Sequence, residues 1–178
     1  MPALEHKCAL YPHYYRRLAP HLHANGYRVF PAKPGTKQPA VKNWTRFCRQ
    51  APSLEQVLKW GASPIPYGIL LACGCGNDGV CYGAVDLDED DRERSAQLSA
   101  LTKRILGDTP LVRIGRPNRR VLLYALSPSA ATSRNLHDKV GLICDRRCVV
   151  LYGIHPQTGQ PYTWEGPGPE DVPAWDLP

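Results

Sequence analysis

The chain contains no run of about 18 apolar residues, so no segment is expected to span a bilayer and no membrane partner is expected. Its opening residues include Glu5, His6 and Lys7 rather than the apolar core of a signal peptide, and a cytoplasmic location is expected. The Cys-x₂-Cys knuckles of common zinc sites are also missing. Cys73, Cys75 and Cys81 cluster, and Cys144 and Cys148 form a second pair, but these spacings argue against zinc. Reduced cytosolic thiols acting as small apolar side chains are the expectation, without disulfides. Neither helix-turn-helix nor zinc-finger spacing is present, which removes the common sequence-specific DNA readers. No internal repeat is apparent.

What the chain does have is 18 prolines and 15 glycines in 178 residues, a composition of many turns and short elements. The length suits one domain with a proper core. A formal charge of +6 leans toward a polyanionic partner.

The spacing predicts a helix over 11–24, stopped at Asn25-Gly26, then a strand Tyr27–Phe30 halted by Pro31. Lys33 and Lys37 ride on the turn-rich loop that follows. A second helix is predicted over Ser53–Trp60, capped by Ser53 with Gln56 three residues on. A strand Tyr67–Ala72 and a turn Cys73–Gly79 come next. Residues 90–106 predict the longest helix, with Leu98, Leu101, Ile105 and Leu106 facing the core and Asp90, Asp91 and Glu93 opening it. Leu111–Ile114 and Val121–Tyr124 predict a hairpin, and Lys139–Ile143 and Cys148–Tyr152 two further strands. The pattern argues for an α+β or α/β sandwich, a mixed β-sheet with flanking helices, with α+β as the expectation. Residues 165–178 are Pro- and Gly-rich and read as a tail or linker, leaving 1–164 as the domain.

Chemistry concentrates at Val85-Asp86-Leu87-Asp88. The period-two alternation predicts a strand that sends both carboxylates to one face and Val85 and Leu87 to the other. Adjacent carboxylates repel unless a cation sits between them, and hard divalent ions favour such oxygens. The pair reads as a metal site, with a solvated acidic loop as the plain alternative. Arg113, Arg116, Arg119 and Arg120 cluster around the predicted hairpin, and guanidinium groups suit phosphates. A solubilising hairpin tip is the plain alternative there.

In order along the chain, Asn25–Pro39, Tyr67-Gly68-Ile69, the Asp86/Asp88 pair, Val112–Tyr124 and Gly153–Trp164 resemble the primase-polymerase domain of the archaeo-eukaryotic primase superfamily. The likeness covers most of the chain and is greatest to versions in prophage and plasmid replication proteins. It implies a catalytic core related to the RNA-recognition-motif fold. The implied activity is template-directed nucleotide transfer from nucleoside triphosphates on single-stranded DNA, with Mg²⁺ or Mn²⁺ held by Asp86 and Asp88. Arg113, Arg116 and Arg119 would lie near the triphosphate, with Arg120 beside them. Lys37 and His155 match recurring positions; His155 either contacts a phosphate or anchors its turn. A helicase domain or protein is the expected neighbour in such systems.

Two departures from the pattern matter. Leu122 stands where many members have a histidine. Gly141 stands where the family places a third metal-binding acid, and Asp145 in the following turn is the residue that would have to reach in. The outcomes are an active enzyme or a degenerate relative that binds nucleic acid or nucleotide without synthesis, with a metal-dependent nuclease as a third class.

Overall fold

A computed structural model describes residues 13–128 and 132–178; Glu5, His6, Lys7 and the first residues of the predicted N-terminal helix lie outside them. The first helix, α1 (Tyr14–Ala24), buries Tyr15, Ala19 and Leu22 and ends at Gly26, whose φ of +86° favours glycine. β1 spans Val29–Ala32. Pro31 therefore lies inside the strand instead of ending it. It is tolerated because β1 pairs only with β2 (Gly68–Cys75), leaving an edge where a missing N–H costs no ladder bond. α2 (Leu54–Gly61) is capped as expected, the Ser53 hydroxyl accepting from Gln56 N at 3.2 Å.

β2 runs through the predicted turn to Cys75 and pairs there with β3 (Cys81–Leu87). The register sets Cys75 opposite Cys81, and the two form a disulfide, contrary to the expectation of free thiols. Arg28 is fully buried behind this hairpin. Its guanidinium donates to Gly74 O and to Val80 O and lies 4.2 Å over the Tyr82 ring.

The remaining strands are β4 (Val112–Arg116), β5 (Arg119–Ala125), β6 (Arg134–His137), β7 (Val140–Ile143), β8 (Arg147–Tyr152) and β9 (Thr163–Trp164). Among the described residues every ladder is antiparallel, so the fold is α+β with an antiparallel rather than a mixed sheet. The sheet curls. β1, β2 and β8 form one leaf, the order β6-β7-β3-β5-β4-β9 forms the other, and the end of β2 joins them through β3.

The third helix, α3 (Arg92–Leu106), packs over the second leaf, above Val85, Leu87, Val112, Leu122 and Tyr124. Its buried face differs from the expected one. Ser95 and Ser99 are inside, whereas Leu101, Ile105 and Leu106 are exposed. Small hydroxyl residues let the helix sit close to the sheet, where Ser95 Oγ bonds Asn118 O and receives a bond from Arg120.

Residues 165–178 dock instead of trailing as a linker. Asn25 Nδ2 donates to Pro169 O and Glu170 O, the Tyr27 hydroxyl to Val172 O at 2.6 Å, and Ala125 N to Pro178 O. Ala174 and Leu177 are buried. Among the described residues no helix is long and apolar enough to cross a membrane.

Candidate active site

β3 presents Asp86 from within the strand and Asp88 just past its end, while Val85 and Leu87 are buried against α3. The alternation thus delivers both carboxylates to one side, as read from the sequence. They line an open cleft of about 370 Å³ together with Lys37, Arg113, Arg116, Arg119, His155 and Gln157. Seven residues singled out in four separate stretches of sequence therefore meet in one place.

Arg113 forms the floor. It is 7% exposed, donates from Nη1 to Val150 O at 2.6 Å, and lies 4.5 Å over the Tyr162 ring, while its Nε has no partner. A buried guanidinium beside two carboxylates sets a fixed positive charge at the base of the cleft. Gly115 follows on the same strand. A Cβ there would stand 2.7 Å from Tyr162, so only glycine lets the ring pack under the cleft.

Arg116 and Arg119 flank the β4–β5 turn, where Asn118 takes φ +67°. Asp90 holds both. Arg116 Nη2 reaches its two oxygens at 2.7 and 2.8 Å, and Arg119 contributes Nε and Nη2 at 2.8 Å each. These bonds, Arg119 first, keep the Asp90 carboxyl well below the usual carboxylate range. The helix cap is Asp91, whose Oδ1 accepts from Arg94 N at 2.9 Å. Asp90, read from the sequence as part of that cap, is a positioning residue for the arginines. Only a carboxylate one step ahead of the true cap hinted at a second task.

Asp86 is lifted above the ordinary carboxylate value by burial, reinforced by the Asp88 charge; Arg113, Lys37 and Arg119 pull the other way. Of its two alternatives, His155 shows the anchoring of its turn, from a place at the edge of the cleft. Its Nδ1 accepts from Gln157 N and Thr158 N at 3.3 and 3.4 Å, anchoring the turn, and its ring borders the cleft. Burial and then the charges of Lys37, Arg113, Arg116 and Arg119 lower its pKa.

Three expected features differ. Arg120 points to the other face of β5 and pairs with Glu165 and Ser95, because strand alternation sends it opposite Arg119. Asp145 lies among Ser133, Arg146 and Arg147, in a depression that contains neither Asp86 nor Asp88. Leu122 is buried under α3, and the histidine in the cleft comes from position 155 instead. Gly141 stands opposite Asp86 in the β3–β7 ladder. A Cβ there would lie 3.9 Å from Asp86 Cβ, so a side chain at 141 would stand beside that carboxylate. Among the described residues no third His, Cys, Asp or Glu joins Asp86 and Asp88.

Two carboxylates of this kind fit a hard ion such as Mg²⁺, which is usually held by one or two carboxylates with water and substrate phosphates completing its shell. The family model described as bifunctional DNA primase/polymerase, N-terminal, matches residues 19–175. No curated protein matches the chain.

Proposed function

Because the chain belongs to the bifunctional DNA primase/polymerase N-terminal family, we propose that the cleft binds a nucleoside triphosphate and adds its nucleotide to a strand on a single-stranded DNA template. The observation that carries this reading is the meeting of Asp86 and Asp88 with Lys37, Arg113, Arg116, Arg119 and His155 in one cleft. Asp86 and Asp88 would hold Mg²⁺ or Mn²⁺, which when bound would stabilise the attacking and leaving oxygens. Arg113, Arg116 and Arg119 bind and orient the triphosphate, offering forked donors to its oxygens. In the transfer, the 3′-oxygen bonds the α-phosphorus as the bond to the bridging oxygen of the β-phosphate breaks. Pyrophosphate departs against the arginines, and the hydroxyl proton passes to water. A setting in prophage or plasmid replication belongs to the same proposal.

The test is incorporation of labelled nucleotides on single-stranded DNA with Mn²⁺, comparing the wild type with Asp86→Asn and Asp88→Asn. Metal contributions of several kcal/mol correspond to losses of about 10²-fold or more. Equal activity in all three proteins would refute the reading.

A second reading is favoured by one specific observation, the bare Gly141 opposite Asp86. It makes the chain a degenerate member that binds triphosphate and DNA without synthesis. Triphosphate binding by a wild type that makes no product would select it.

A further inference from the structure

Asp86 borders two depressions. One is the arginine-lined cleft; the other, about 470 Å³, lies on the Gly141 side and is bounded by Arg134, Asn135, Gly141 and Arg147. It continues through Ser133 and Arg147 into a shallower hollow that Arg146 also lines. Arg134, Arg146 and Arg147 are exposed, and among the described residues none of them forms an ion pair or a side-chain hydrogen bond. The cleft arginines Arg116 and Arg119, by contrast, are ion-paired, both with Asp90 and Arg119 also with Asp88. Three cations that form no ion pair along one track, with Asp145 as the acid beside Arg146 and Arg147, outnumber the local negative charge and suit a phosphate backbone.

Gly141 keeps the track open to the carboxylate. A Cβ there would lie 3.8 Å from Asn135 Oδ1 and 3.9 Å from Asp86 Cβ, so a longer side chain would project into the depression beside Asp86. In-line phosphoryl transfer needs the attacking hydroxyl and the leaving group on opposite sides of the phosphorus. With the triphosphate against Arg113, Arg116 and Arg119, the hydroxyl must arrive from the far side of Asp86. That is the Arg134–Arg147 side.

We propose that the depression bounded by Arg134, Gly141 and Arg147 binds the backbone of the single strand whose 3′-end is extended, with Arg146 continuing its path. The inference rests on the function proposed above and assigns the position of the strand within it.

The test measures anisotropy of a fluorescein-labelled oligothymidylate with the full chain across a KCl series, and calorimetric binding of a nucleoside triphosphate with Ca²⁺. For the Arg134→Gln/Arg147→Gln double variant, the slope of log affinity against log salt should fall by about 1.4, at about 0.7 per single-strand phosphate contact. Oligonucleotide affinity at low salt should drop about tenfold or more, with triphosphate affinity within twofold of wild type. Arg116→Gln should do the reverse. An unchanged slope in the double variant, or no oligonucleotide binding by the wild type, overturns the proposal. If the wild type extends primers while the double variant binds DNA normally, the strand site alone fails. If the wild type makes no product while the double variant loses DNA affinity, the catalytic reading fails and the strand site stands.

Discussion

Arg119 donates from Nη1 to Asp88 Oδ1 across 2.8 Å, linking the first residue of β5 to the residue just past β3. The guanidinium thereby supplies positive charge to one of two neighbouring carboxylates. Asp88 is half-exposed, so the contact leaves the other oxygen reachable. A divalent ion at Asp88 must compete with this arginine. Exposed ion pairs contribute up to about 1 kcal/mol. Arg119→Gln should therefore tighten Mn²⁺ binding a few-fold in calorimetry while weakening triphosphate binding. Weaker binding of both would mean that Arg119 does not compete with the ion.

Asp90 restrains the same arginine together with Arg116. Asp90→Asn should free both side chains and raise the Kd for a triphosphate, because ordered donors bind with less entropic loss. The pH dependence has a definite sign. A carboxyl held below its ordinary value contributes stability above that value and loses it as pH falls through the lowered one. The melting-temperature gap between wild type and Asp90→Asn should thus persist through mildly acid solution. It should close only below the ordinary carboxylate range. A gap closing near pH 6 would contradict the assignment.

Gly141→Asp should restore the missing acid. The position has ordinary backbone geometry and room for a Cβ. A third carboxylate should raise Mn²⁺ affinity about tenfold, since charge count governs such sites. It should also lower the melting temperature in chelator, because like charges then crowd Asp86. A variant with unchanged Mn²⁺ affinity would separate this position from the metal site.

His155 has a lowered pKa, so its charged form is disfavoured in the free protein. The stability it contributes is complete above the ordinary histidine value and is lost as pH falls through the lowered one. An anionic triphosphate beside Lys37 and Arg113 would offset their repulsion. NMR titration of His155 should then show its pKa rising on nucleotide binding, with proton uptake by the complex. A pKa unmoved by saturating triphosphate would place the phosphates away from this ring.

Arg28 makes a prediction for the scaffold. Arg28→Met keeps much of the volume but leaves the Gly74 and Val80 carbonyls without their charged donor. Loss of such bonds costs about 2–4 kcal/mol, measurable by urea unfolding. A change below about 0.5 kcal/mol would mean that water replaces the guanidinium.

The carboxylate pair was legible because strand alternation is local: Val85, Asp86 and Leu87 declare their faces within three residues. The same rule, applied to β5, separates Arg119 from Arg120, but adjacent arginines carry no apolar marker to say which one faces the cleft. Asp90 and Asp91 look alike in sequence, and only the distant hairpin distinguishes positioner from cap. β6 was missed because every one of its residues is exposed, so no apolar alternation marks it in the sequence. The C-terminal segment was misread because its anchors, Asn25 and Tyr27, lie more than 140 residues away. Of the apolar residues of α3, Leu98 packs on the sheet as read, but Leu101, Ile105 and Leu106 gave the wrong face, since Ser95 and Ser99 make the close approach.

Arg113 bonds a carbonyl of β8 from its place on β4, so one side chain staples the two leaves of the sheet beneath the cleft. The two walls are thus tied at their base, and any widening of the cleft must come from its rim. Under the proposed function, adaptation to different incoming bases falls to the loops around Lys37 and Gln157. The electrostatic anchor stays fixed in place, whatever cargo enters.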